Sequence, residues 1–403
     1  MKRWKKIVLF LVLVLLISQA PFAYRRYKLG RLQKAINQLN SKRLVYSREE
    51  SLTEYKGVIH VHSSLGGHSS GSYEEIISGA QANKLDFVVM TEHPSKNFDT
   101  AAMTLKGIHG GVLFINGNEA VLANQDRLLL MPGDEAVANV GNLTTAEFIA
   151  QQKSKGAVAL VAYPQEFRSW GAAGYDGVEV YNLFTNSRRI NPIMMFFDGL
   201  WSYRSYPELL FAYFYERPSE NLKLWDQAQI ESGRRLVATA GNDAHANVGL
   251  SLNDSTGKKL LGIQLDSYER SFRLVRMHVL IPIGQDLTAA NLVAALKEGH
   301  CFIAFDIFGD ATGFRFSAMK GAERTVQGSE IPFSPSTRLV VNTPQISRIV
   351  LFRNGDVVQE LSAANAEFDV RERGTYRVEL FLTQLPKPVS DQPWIISNAI
   401  YVR

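Results

Sequence analysis

Along the first three quarters of this chain, two hydrophobic rhythms take turns. Short apolar runs with the β-branched bias of buried strands fall at 57–61, 85–90, 111–119, 128–131, 157–163, 177–181, 236–240 and 274–283. Between several of them, apolar residues recur at helical spacing, and the helices are announced by their caps. Ser72 with Glu75 and Thr144 with Glu147 stand in capping-box spacing, Gly156 closes the second of these helices, and Thr288 to Lys297 ends at Gly299. Strand followed by amphipathic helix, repeated, predicts a parallel α/β arrangement, most simply a barrel. In such barrels chemistry gathers at the carboxyl ends of the strands.

Three segments depart from this rhythm. Residues 7–17 are unbroken apolar sequence behind Lys2, Arg3, Lys5 and Lys6, which reads as a signal anchor with the basic end inside the cell. Ser18-Gln19-Ala20 offers small residues for cleavage, leaving a secreted or periplasmic product as the alternative, but Pro21 follows at once. A polar helical stretch with Leu32, Ile36 and Leu39 in register then forms a stalk. In the second departure, about 186–235, aromatic residues including Phe196, Phe197, Trp201, Tyr203, Tyr206, Phe211 and Tyr213 crowd together as a helical insertion that packs onto the barrel or covers its mouth. From about 302 the helical signals stop. Short alternating strands, with Asn354-Gly355 as a hairpin turn, predict a β-sandwich. The expected organisation is an anchor at 1–28, a stalk at 29–54, a catalytic barrel at 55–300 and a sandwich domain at 301–403.

Charge changes the picture only once it is divided. The net +5 comes from 44 basic and 39 acidic residues, but residues 1–34 hold nine of the bases and no acid, leaving 35 against 39, a net −4, for the rest. The basicity belongs to the anchor, so a nucleic-acid partner has no electrostatic support. A single cysteine, Cys301, excludes an intrachain disulfide framework. The chain lacks a P-loop, a Rossmann fingerprint, zinc-finger spacing and a serine nucleophile elbow.

Histidine placement carries the chemistry. Three of the eight histidines, His60, His62 and His68, lie within nine residues. On a strand, alternate side chains share a face, so His60 and His62 form a clamp for a metal ion, with His68 on a glycine-rich loop behind them. His93, Glu119 and Tyr163 each stand where a strand runs out, and Asp243 with His245 repeats the alternate pairing. Core histidines have no reason to choose strand ends. His109, His278 and His300 lack such partners and read as structural or surface residues.

Taken in order, HVH, His68, LDFVVMTEH, GNE, DGVEVYN and GNDAH resemble the polymerase and histidinol phosphatase (PHP) superfamily of metallohydrolases over 57–247, most nearly its CehA/McbA branch. The resemblance implies a distorted (β/α) barrel of seven strands with zinc, manganese or iron. On the matching positions it implies that His60, His62, Glu119 and Asp243 hold one ion and that His68, His93 and His245 hold another, with Glu119 reaching between them. Two departures are informative. Tyr163 stands where the family often has histidine, and the stretch after Glu179 offers Asn182 and Asn186 but no histidine, which implies two ions, or one tight and one weak, in place of up to three. Glu92 replaces the usual aspartate.

Histidine and carboxylate ligands suit transition metals, whose charge makes water nucleophilic near neutral pH and polarises the electrophile. The expected activity is metal-dependent hydrolysis outside the cytoplasm, of a small-molecule phosphoester by a metal-activated hydroxide, with amide, carbamate or carboxyl ester hydrolysis and a weakened, ligand-binding relative as alternatives. Asp243 and Glu119 would serve the proton and the metal. Tyr163 would bind as a phenolate or hydrogen-bond a substrate oxygen. Arg168, Arg188, Arg189 and Asn182, on loops after the later strands, are candidates to hold an anionic substrate.

Overall fold

The computed structural model describes residues 3–44, 51–172, 174–188, 190–247, 249–253, 259–264 and 266–403. The segment read as an anchor and the first part of that read as a stalk form one continuous helix, α1 (Arg3–Ser41), which passes through Pro21 without ending. Its 39 residues reach about 58 Å at 1.5 Å each. Residues Ile7 to Ile17 are exposed, whereas Leu29, Leu32, Ile36 and Leu39 are buried in the main core. The stalk is thus fastened down, each of those side chains contributing about 2 kcal/mol of burial. Asn40 Oδ1 accepts from the backbone of Asp310, Leu39 O accepts from Gln345 Nε2, and Arg43 pairs with Asp310, so the far end is tied to the carboxyl-terminal strands.

The sheet that follows is built from β1 (Leu52–Val61), β2 (Phe87–Met90), β3 (Val112–Ile115), β4 (Asn118–Val121), β5 (Arg127–Met131), β6 (Val158–Ala162), β7 (Gly177–Asn182) and β8 (Val237–Ala244). Neighbours run β3, β2, β1, β8, β7, β6, all parallel. β5 and β4 continue this ladder antiparallel, and a bridge between Glu92 and Asn118 joins β4 back to the end of β2. The stretch read as one strand at 111–119 is two strands broken at Asn116-Gly117. A side chain at Gly117 would strike the carbonyl oxygens of Met90 and Leu130, so the chain turns there at close quarters with its neighbours. Helices α2 (Tyr73–Ala82) and α3 (Thr145–Ser154) both start with the anticipated capping boxes, on Ser72 and Thr144.

The amino half of β1 pairs antiparallel with β9 (Arg276–Pro282), which pairs with β10 (Cys301–Ala304), which in turn pairs with Ile395–Ser397. Hydrogen bonding therefore runs without interruption from the α/β part into the carboxyl-terminal strands. There, in place of the short strands expected, one long strand spans Arg338–Arg353. It turns at Asn354-Gly355, both at positive φ, into Asp356–Asp369. Arg377 is fully buried between Glu379 and Asp226, the latter on α5 (Ser219–Ser232), which adds an ionic tie between the two parts.

The aromatic insertion packs chiefly on α1. Its helix α4 (Pro192–Ser202) places Phe197 4.9 Å from Phe22, and Arg25 forks onto Asp198 at 2.6 and 2.7 Å while stacking over Tyr213. Trp201 donates to Gln19 at 3.1 Å, and Tyr203 contacts Arg270. Phe211 and Tyr215 stack among Phe305 and Phe308 of the core.

A candidate metal centre at the strand ends

β1 brings His60 and His62 to the centre, though not as a regular strand. His60 has φ +63, and the ladders with β2 and β8 slip on either side of it. Asp243 has φ +46 and Tyr163 φ +50. Three non-glycine residues in the left-handed region, converging on one point, mark a place where packing holds the backbone in costly conformations. The bulges aim both imidazoles at the same spot, the result expected from simple alternation but reached by another path.

Four buried side chains meet there. His60 Nε2 lies 3.3 Å from Glu119 Oε2 and 3.4 Å from Asp243 Oδ1, and His62 Nε2 lies 3.4 Å from each of the same two oxygens. A second group shares His62 and adds His93 and His245, the three ligand atoms within 4.8 Å of one another. His93 Nε2 is 3.6 Å from Glu119 Oε2, so Glu119 faces both groups. His68 belongs to neither. It is exposed and stands edge-on to His93, with ring centroids 4.7 Å apart. The four inner groups are at most 1% exposed, against 19% for His93 and 13% for His245, so the centre opens on the side of those two.

Around the centre, His60, Asp243 and Glu119 are each held from behind. Glu179 Oε1 takes His60 Nδ1–H at 2.6 Å, which turns Nε2 inward toward Glu119 and Asp243. Tyr163 donates to Asp243 Oδ2 at 2.6 Å and Asn182 donates to it at 3.2 Å, leaving Oδ1 to face the imidazoles. Arg127 donates to Glu119 Oε1 at 3.1 Å and lies over the Tyr163 ring. Both nitrogens of His62 and Oδ1 of Asp243 are buried without a hydrogen-bond partner. Orphaned imidazole and carboxylate atoms of this kind are costly unless something else satisfies them, and a divalent cation fits the donor set.

Electrostatics agree with that shape. Burial opposes charge on His60, but Glu179, Asp243 and Glu119 outweigh it and raise the imidazole well above its ordinary range. Against the cost of burial, the neighbouring histidines hold Glu119 and Asp243 below theirs. Burial and the neighbouring imidazoles push His93 down to about 4 and lower His245, so both present lone pairs at neutral pH. Burial, Asp243 and Glu119 raise Tyr163, which makes it a hydrogen-bond donor here.

The proposed substrate-holding residues fare differently. Asn182 is at the centre; Arg168 is exposed, with only its backbone held, by Asp126. Arg188 covers Phe184, whose ring is 5.9 Å from that of His245, so it reaches the rim and not the centre. Arg189 lies outside the described residues. A cation that touches the ligands is Arg127, which precedes an apolar run and shares a face of its strand pair with Glu119. Glu179 is a further site residue that the motifs do not single out; its signal in the sequence is a lone acid inside the buried strand GVEVYN. Glu92 instead builds the loop after His62, accepting from Ser63 N, Ser63 Oγ and Thr104 Oγ1.

No family model matches the chain, and no curated protein matches it. Solved structures do. PsfC from Pseudomonas syringae PB-5123 is 13% identical with a TM-score of 0.38, covering 63% of this chain and 92% of that one. A two-domain protein from Bacteroides vulgatus ATCC 8482 containing a predicted PHP-like metal-dependent phosphoesterase is 13% identical with a TM-score of 0.37, covering 88% of this chain and all of that one. The second carries the family description that the sequence motifs suggest. Neither speaks for the CehA/McbA branch.

Proposed function

We propose that this chain is a metal-dependent hydrolase of the PHP superfamily, its ring of strands the distorted seven-stranded barrel of that family, and that it cleaves phosphoesters. The observation that carries this reading is the convergence of His60, His62, Glu119 and Asp243, buried with orphaned atoms facing one point. Those four residues would hold one divalent ion, and His62, His93 and His245 offer a second position. When bound, such an ion supplies a Lewis acid that activates water and polarises the electrophile.

The chain's own groups do the rest. Glu179 fixes the tautomer of His60, and Tyr163 and Asn182 fix the rotamer of Asp243. Arg127 offsets the charge of Glu119 and is the nearest fixed cation for an anionic substrate. His93 and His245 are neutral on the open side, where their lone pairs are available to a cation. Action outside the cytoplasm follows from the apolar amino terminus of α1 if it spans a membrane. A weakened, ligand-binding relative is the second reading, favoured by Tyr163, a donor where the family often has a metal-binding histidine.

Metal analysis of the purified full chain, followed by assays on phosphomonoester, phosphodiester, carboxyl ester and amide substrates, separates the two. Bound transition metal with phosphoester turnover that disappears in His60→Ala is the expected result. A metal-free, inert protein would leave the second reading standing.

A further inference from the structure

Helix α4 is built the wrong way round for water. Its one acid, Asp198, is 1% exposed and Ser202 is fully buried, while Ile193, Phe196 and Leu200 are 70%, 61% and 68% exposed. Positions 193, 196 and 200 fall on one helical face, so the apolar stripe points outward and the polar residues inward. An exposed apolar face on this scale marks a surface meant to be covered.

Its neighbour says by what. α4 lies along α1 at the point where the apolar segment of α1 leaves the protein: Phe22 meets Phe197, Gln19 meets Trp201, Arg26 meets the carbonyl of Trp201, and Arg25 forks onto Asp198. The stretch from Trp4 to Phe22 is about 28 Å of helix, close to the thickness of a bilayer's hydrocarbon core, and its last turn reaches the interface. Residues 19–26 then fall at the interface, and Tyr24 and Tyr27, both exposed, supply the aromatic belt expected there. Lys28, over the ring of Tyr24, and Arg31 stand just beyond, at headgroup level.

We infer that α4 is an in-plane membrane helix, its face of Ile193, Phe196 and Leu200 embedded in the lipid interface beside the spanning segment, so that the catalytic body rides fixed against the bilayer. The occupant of this surface is lipid. The inference rests on the reading of α1 as an anchor. The Arg25 to Asp198 pair sets the angle between spanning and in-plane helices, which a flexible tether would leave free. Five residues before α4 begins stands Ser187, and the segment Leu183–Ser187 carries Phe184 to the rim of the metal centre.

The test uses the full chain in phosphatidylcholine vesicles, with an environment-sensitive fluorophore on a cysteine placed at Phe196, Leu13 or Val357; the native Cys301 is buried and stays unlabelled. Labels at 196 and 13 are expected to lose most of their emission to lipid-borne nitroxide and little to aqueous iodide, and the label at 357 to behave oppositely. Adding Ile193→Ser and Leu200→Ser is expected to return the 196 label to water. A label at 13 in lipid with 196 open to iodide overturns the docking alone. A label at 13 in water removes the anchor and the inference with it. Shielding of 196 from both quenchers overturns it in favour of a second copy of the chain.

Discussion

Glu179 shows how much of the centre depends on residues that would never touch a metal. Its carboxylate holds the Nδ1–H of His60 at 2.6 Å, and both groups are fully buried. Changing it to glutamine keeps the shape but exchanges a charged acceptor for a neutral one, so metal affinity is expected to fall roughly 10- to 100-fold. Titration against a competing chelator measures this, and an unchanged affinity would remove Glu179 from the centre. His278 illustrates the other fate of a buried histidine. It is stacked on Phe302 and paired with Glu54 at 2.7 Å and Asp306 at 3.2 Å. Burial disfavours its charge, but Asp306 and Glu54 raise it to about 9. Because the folded value lies above the ordinary 6.5, the stability it contributes is complete below about pH 6.5 and lost as pH rises through about 9. The contribution is about 3 kcal/mol, shared with the two acids. Unfolding free energies measured from pH 6 to 9.5 should decline in the wild type and lose that component in His278→Gln; parallel profiles would refute the pair.

Gly117 and the α1–α4 contact carry the argument at the scale of elements. The break between β3 and β4 lets Glu119 turn toward the imidazoles, and it exists because the chain passes within contact of two carbonyl oxygens. Gly117→Ala is expected to melt well below the wild type and to retain less metal. Gly111→Ala is the control, since a side chain there meets nothing and pays only for its positive φ, about 1 kcal/mol. Equal melting temperatures for the two variants would show that the crowding at Gly117 is relieved cheaply. Arg25→Met leaves the Asp198 carboxylate buried without its partner, at a cost of about 3 kcal/mol. Hydrogen exchange should then quicken across 192–202; unchanged protection would mean that α4 is held by its apolar contacts alone.

For the molecule as a whole, the α/β part and the carboxyl-terminal strands form one hydrogen-bonded body. Asn398 grips both the N–H and the carbonyl of Ala238, and Tyr401 accepts from Leu236 N, so the last residues of the chain steady the strand that delivers Asp243 and His245. Their core is also shared, with Trp394 and Phe302 in the same cluster as Leu160 and Val237. A fragment spanning 51–300 is therefore expected to be unfolded or molten by near-ultraviolet circular dichroism; a cooperative melt like that of the parent would show two independent units. Stripping metal from the full chain should lower its melting temperature by the linkage of binding to folding, reversibly on adding metal back.

Local order was legible because it depends on near neighbours. Capping boxes, the Asn354-Gly355 turn, the strand cores and the habit of His62, His93 and Tyr163 to stand just past strand ends all follow from residues a few positions apart, whereas Glu119 lies at the start of a strand of its own. The apolar stripe of 32, 36 and 39 was equally plain. Its partner was not, since the stripe faces a core assembled from distant strands. Only the tertiary structure decided that the stalk is packed, that His60 and Asp243 sit on bulges, that Arg127 and Glu179 belong to the centre while Arg168 does not, and that α4 turns its apolar face outward. Each of these turns on which segments meet across hundreds of positions, and neither spacing nor composition encodes that directly.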